Sequence, residues 1–218
     1  MILKLIQKEF TLELRRKAVI SGISLYLVSI IFICYLTFSL RQNAINEATW
    51  SALFWLSILF ANVNGIAKSF IGEKKGLLIY YYSIASPQAI IISKIIYNII
   101  LSFALALAGY LLFSLFIDNP LQDPGLFVLI LLLSSCGFSA SLSLISAIAS
   151  KTDNSNVLMA VLSFPVIITV LLMAIKITKN ALDGLERAAS QDELINLLAI
   201  NCIMVALAYL LFPYIWRS

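Results

Sequence analysis

The chain has 218 residues, 61% of them hydrophobic and 12% charged, with a net charge of +4 and a mean hydropathy of +0.99. A soluble domain carries about twice that fraction of charge, so the composition argues against one and for an integral membrane protein. Histidine is absent, which removes the commonest metal and haem ligand and the usual general base.

Residues 1–17 are amphipathic. Leu3, Ile6, Phe10 and Leu14 recur at helical spacing, while Lys4, Lys8, Thr11 and Arg15 fall on another face. The pattern predicts an interfacial elbow helix with its cations near anionic headgroups; the plainer alternative is a charged flank that only fixes orientation. Six apolar runs follow, at about 19–40, 48–67, 95–117, 126–150, 157–176 and 194–215. About 20 apolar residues rising 1.5 Å each cross a bilayer, and lipid offers no partner to a bare backbone. Each run therefore predicts a transmembrane helix. The first is longer than the apolar core of a secretory signal and reads as a retained span.

Trp50 and Trp55, at the start of the second span, suggest an aromatic belt. Residues 68–94 make the longest connection, punctuated by Gly72, Gly76 and Pro87. Between those breaks, Leu77 to Tyr82 is an apolar-aromatic stretch too short to span. It predicts a docking element that presents aromatics, with a passive linker as the alternative. In the fourth span, around Gly137, the residues Ser139, Ser143 and Ala147 stand four apart and form a ridge for close helix packing. A polar translocation surface is the other reading of that ridge. Pro165 in the fifth span removes one helical hydrogen bond and predicts a kink, serving as fixed shape or as a hinge. In the segment 177–193, Ala181, Leu182, Leu185 and Ala188 suit a short surface helix, or else a solvated linker. Cys34, Cys136 and Cys202 lie within spans without C-x-x-C spacing and read as small hydrophobes.

With a cytoplasmic N-terminus, only Arg41, Lys176, Lys179 and Arg187 of the 15 basic residues fall outside. Cytoplasmic N- and C-termini thus satisfy the positive-inside rule.

The sequence has no G-x-x-x-x-G-K-[ST] loop, no paired carboxylates and no charge central to a span. A self-powered ion-coupled transporter is disfavoured. No catalytic or metal-ligating set emerges, and ATP hydrolysis by a partner subunit is the natural inference.

Several segments then carry a family resemblance. They are Lys8-Glu9-Phe10 with Glu13-Leu14, then Phe70, Glu73 and Gly76, then Ala85-Ser86-Pro87 and Lys94, then Gly137-Phe138, and last Leu162-Ser163-Phe164-Pro165. Their order and spacing over nearly the whole length resemble the CcmB family, the permease-like subunits of the ABC complex in cytochrome c maturation. Tyr80-Tyr81-Tyr82 departs from that pattern by replacing an aliphatic run.

The resemblance implies an all-α, ABC-2-exporter-like membrane domain in the bacterial inner membrane. It further implies a dimer bound to a CcmA-like ATPase, with a CcmC-like haem-handling protein alongside and release of the haem-loaded chaperone CcmE. On this reading Phe70, Glu73, Gly76, Tyr80, Tyr81, Tyr82 and Pro87 would couple to the ATPase. Lys8, Glu9, Phe10 and Glu13 would belong to the elbow, and Gly137, Ser139, Ser143 and Pro165 to packing or a hinge. No cofactor is expected on this chain: without histidine, haem ligation would fall to Met, Cys or Tyr. Met159, Met173 and Met204 read as gap-filling residues. Two rivals remain, a permease subunit of another ABC-2-type exporter of lipid, polysaccharide or drug, and a membrane scaffold without transport. A small intramembrane enzyme is the remotest reading.

Overall fold

The computed structural model describes residues 2–15, 17–39, 46–66, 68–71, 85–117, 120–152 and 155–217. These residues are all-α. Helix α1 (Ile2–Arg15) precedes α2 (Lys17–Ser39), α3 (Glu47–Ile66), the single turn α4 (Lys68–Ile71), α5 (Pro87–Phe116), α6 (Pro124–Ala149) and α7 (Ser155–Leu182). A 3-10 turn at Arg187–Ser190 leads into α8 (Gln191–Arg217). Helices α2, α3, α5, α6, α7 and α8 are long and apolar enough to cross a membrane.

Local chemistry starts these helices where they start. The Asn46 side chain accepts from the Ala48 amide, and the Ser86 hydroxyl accepts from the Ala89 amide with Pro87 at the first helical position. Asp123 accepts from the Leu126 amide at 3.0 Å, again with proline next, at Pro124. Each cap satisfies an amide that the helix itself leaves bare.

The bundle is built around α6. Of its apolar window, 72% is buried, against 17% for α2 at the periphery. Helices α5, α7 and α8 pack along α6, while α3 and α4 also touch it. Serine lets them approach: Ser134, Ser135, Ser139, Ser141, Ser143 and Ser146 are all buried, and small side chains bring backbones together where lipid gives no hydrophobic drive.

Three expectations need correction. Helix α5 begins at Pro87, not near 95, because the Ser86–Pro87 cap starts it ahead of Ile90, Ile91 and Ile92. Lys94 therefore lies inside a helix and not on a flanking loop. Trp50 and Trp55 are each 1% exposed and form no belt toward lipid. They stack into an interior cluster with Phe54, Phe113 and Phe127 at ring separations of 5.3–6.0 Å, because three neighbouring helices offer rings at that level. The Trp55 indole donates to Thr178 Oγ1 at 2.8 Å across to α7.

No surface helix occupies 177–193. Helix α7 runs on to Leu182 with Ala181 and Leu182 fully buried, and only the four-residue 3-10 turn follows. The Ala181 carbonyl accepts the Gln122 and Asp123 amides, which ties that end of α7 to the loop before α6. Pro165 lies within α7, on its exposed face.

Candidate functional site: a buried cation where α1, α4 and α5 meet

The connectivity brings α1, α4, the start of α5 and the ends of α6 and α8 to one end of the bundle. A second apolar cluster holds them there, with Phe70, Ile90, Ile91, Ile95, Leu144 and Phe212 among its members. The Phe70 ring lies 5.3 Å from Phe212, which lies 5.5 Å from Trp216. The Trp216 carbonyl, near the end of α8, accepts from Lys151 Nζ at 3.4 Å. A cation there complements the negative end of the helix dipole.

Into this apolar setting α5 inserts a lysine. Lys94 is 2% exposed, a costly place for an ammonium unless its donors are met. They are met from three sides. Its Nζ donates to the Ser69 carbonyl at 2.8 Å, lies 3.4 Å from Glu9 Oε1, and sits 4.7 Å from the centre of the Phe70 ring. A four-residue helix leaves its carbonyls without intrahelical partners, so α4 can give Ser69 O to the ammonium. The face of an aromatic ring attracts a cation, the more so when both are desolvated.

The carboxylate of Glu9 comes from α1 and is itself 13% exposed. Lys8 Nζ reaches the same Oε1 at 2.7 Å, so two cations share one anionic oxygen. One residue further, Phe10 packs edge-on against Tyr97 at 4.9 Å and 86°. Glu9 and Phe10 thus fix α1 to α5 by a charge and by a ring.

One turn beyond Lys94, Asn98 is 1% exposed and carries the polar contacts to α6 and α4. Its amide donates to Ser143 Oγ at 2.7 Å and reaches Ser69 Oγ at 3.5 Å. The Phe70 amide donates to Ser146 Oγ at 3.2 Å. The result is one bonded junction of α1, α4, α5 and α6, centred on Lys94. It offers no nucleophile–base pair; what it can do is transmit position.

Among the residues expected from sequence, Lys8, Glu9 and Phe10 come together here. Phe70 does too, but it is 3% exposed and faces inward. It packs against Phe212 and anchors α4 in the apolar cluster. Pro87 is the first residue of α5. Ser143 accepts from Asn98, while Ser139 is buried one turn deeper. Gly137 lies elsewhere on α6, where a Cβ would stand 2.6 Å from Asn201 Oδ1 and 3.1 Å from the Val170 methyls. Pro165 is remote, on α7. Glu73, Gly76, Tyr80, Tyr81, Tyr82 and the side chain of Glu13 lie outside the described residues.

Sequence reasoning missed Lys94, Tyr97, Asn98 and Ser69 as parts of one site. The signal was the Ser86–Pro87 start, which puts Lys94 two turns inside a helix and Asn98 on the same face.

The opposite end is pinned differently. Arg187 meets Asp123 through two hydrogen bonds, 2.8 and 2.9 Å, and Lys176 pairs with Glu193. The Arg187 guanidinium, helped by the Leu126 amide, holds the Asp123 carboxyl down to about 2. Gly184 turns the chain there at φ +65, a left-handed conformation that favours glycine, and a Cβ on it would crowd the Gln122 side chain.

Neither curated proteins nor solved structures yield a match to this chain. A family profile described as CcmB protein matches residues 1–215. That family comprises the permease-type membrane subunit of the haem-export ABC system of cytochrome c maturation. With six apolar helices and a match over nearly its full length, this chain is a multi-pass membrane protein that belongs to the CcmB family.

Proposed function

We propose that this chain is the subunit through which a CcmA-like ATPase drives haem handling, and that the Lys94 junction carries the motion. The observation behind this reading is the burial of Lys94 between Glu9 of α1 and Ser69 of α4. Residues 72–86 connect α4 to α5, so a push on that segment falls on two elements joined by one ammonium. Because α1 is held to α5 by Glu9 and Phe10, rotation of α5 would drag the elbow helix with it. Lys94 is obliged to keep partners while buried, so the pieces move together or exchange partners in discrete steps.

In this scheme Glu73, Gly76, Tyr80, Tyr81, Tyr82 and Pro87 belong to the ATPase-facing segment. Glu13 belongs with the elbow, while Gly137, Ser139, Ser143 and Pro165 serve packing or a hinge. Both termini face the cytoplasm, two copies pair in a bacterial inner membrane, and ATP binds to the partner. Haem is cargo, its iron held by CcmC-like and CcmE-like partners, and release of loaded CcmE is the output.

The test is reconstitution with the ATPase and haem-handling subunits. Lys94→Met should leave membrane insertion and complex assembly intact while abolishing ATP-dependent release of haem-loaded chaperone. Glu73→Ala with Tyr81→Ala should instead weaken retention of the ATPase. Wild-type release by Lys94→Met would refute the junction as the transmission point, and wild-type retention by the double variant would refute the docking segment.

A further inference from the structure

About one turn deeper than the Asn98–Ser143 contact, three side chains each carry a polar atom without a hydrogen bond in the protein. Asn62 of α3, Ser102 of α5 and Ser139 of α6 are each 0% exposed. Asn62 Oδ1, Ser102 Oγ and Ser139 Oγ all lack a hydrogen bond within the protein. Several serines in this fold satisfy themselves, although Ser134 and Ser141 do not. Ser57, Ser93, Ser150 and Ser163 bond carbonyls three or four residues back in their own helices. Ser102 and Ser139 do not.

The register brings Ser102 and Ser139 to one level and Asn62 within about a turn of it. Helices α5 and α6 run antiparallel, with Asn98 on Ser143 and the Tyr110 ring 5.0 Å from Phe127. Ser102 and Ser139, one turn along each helix from the Asn98–Ser143 pair, therefore oppose each other. On α3, Gly65 lies against Leu101 and Leu105 of α5, and Ile58 lies against Gly109. Asn62 falls between those two contacts, within about one turn of Ser102. Its Nδ2 already donates to the Ile58 carbonyl at 2.9 Å, which leaves the amide oxygen as the group without a partner.

A buried polar atom without a hydrogen bond costs about 1–3 kcal/mol, and three such atoms in a membrane bundle multiply that cost. A buried water characteristically makes about three hydrogen bonds to groups that would otherwise go unpaired. We infer that the seam between α3, α5 and α6 is a water-binding site. One water there donates to Asn62 Oδ1 and Ser102 Oγ and accepts from the Ser139 hydroxyl, which satisfies all three. The site continues the polar line Lys94–Ser69–Asn98–Ser143 from the α1 end. It also makes the α5 contact at this level exchangeable, because a water can re-pair when neighbouring helices shift. The inference does not depend on a partner ATPase.

The full chain in lipid nanodiscs provides the test. Removing one bond to a shared water should lower Tm by about 2–4 °C in Ser102→Ala and again in Ser139→Ala. The double variant should lose less than the sum, because both changes act on one water. Wild type should show an infrared O–H band that shifts on exchange into H2(18)O and is missing from the double variant. If the double variant does not fold, either single variant carries the infrared measurement. Variants at least as stable as wild type, or an isotope-sensitive band that survives removal of the hydroxyls, would overturn the site.

Discussion

At the α1 end the pinning cation, Lys94, is 2% exposed and touches a carboxylate, a carbonyl and a ring face. At the opposite end the cations Arg187 and Lys176 are 67% and 65% exposed and lean on Asp123 and Glu193. The same kind of ion pair therefore has different consequences. In water, the alternative to the pair is hydration, so breaking it costs little. In the apolar junction the alternative is a bare ammonium, and the surrounding elements must supply its partners. The buried end ties three elements to one atom, while the exposed end closes loops over a surface.

Breaking the buried pair from one side gives the largest expected effect. Glu9→Leu should destabilise by about 3–5 kcal/mol, read from thermal or denaturant unfolding in detergent. Glu9→Leu combined with Lys94→Met should recover most of that loss, since both charges go together. If the single and double variants are equally unstable, the contrast between the two ends fails.

Next in size is Gly137→Ala, where the new Cβ meets Asn201 Oδ1 at 2.6 Å and the Val170 methyls at 3.1 Å. Asn201 already donates to the Leu133 carbonyl at 2.8 Å, so it has little freedom to retreat. A loss of about 1–3 kcal/mol is expected in the same unfolding assay. Trp55→Phe should cost about 1 kcal/mol by removing the donor to Thr178 Oγ1, and intrinsic tryptophan fluorescence of the native bundle would verify that the interior ring cluster persists.

The smallest effect belongs to the exposed end. Asp123→Asn should leave stability at neutral pH nearly unchanged, and the sign of its acid dependence is set by the depressed carboxyl. The folded carboxyl is held at about 2 against an ordinary 3.8. Its contribution is therefore complete above roughly pH 4 and disappears as pH falls through about 2. The difference between wild type and Asp123→Asn in acid unfolding should be small above about pH 4 and vanish as pH falls through about 2. A large difference at neutral pH would mean this pair acts as a buried one does.

The spans were legible in the sequence because the requirement behind them is one-dimensional. A run of about 20 apolar residues in lipid has helix as its economical state. Breaks were legible where they had chemistry of their own, as at Pro87, and helix ends were partly misread where helix and loop residues look alike. Residues 176–182 carry two lysines and yet extend α7, because the burial of Ala181 and Leu182 outweighs the charge of Lys176 and Lys179. Trp50 and Trp55 have the composition of a belt, and only the neighbours at their level decide that they face inward.

The site was half legible. Helical spacing in residues 1–17 marked an amphipathic helix, and Glu9 and Phe10 fall on it. What they touch was not visible, because Lys94 is 85 residues away in the chain and looked like one more flanking cation. Composition and hydrophobic period alone determined that this is a six-helix membrane protein with an amphipathic N-terminal helix, since both follow from the cost of putting backbone and charge into lipid. Tertiary structure alone decided which charge is buried, which serines meet partners and which helix lies at the centre. Those depend on the surroundings of a side chain, and packing brings distant segments together without leaving a periodic trace in the sequence.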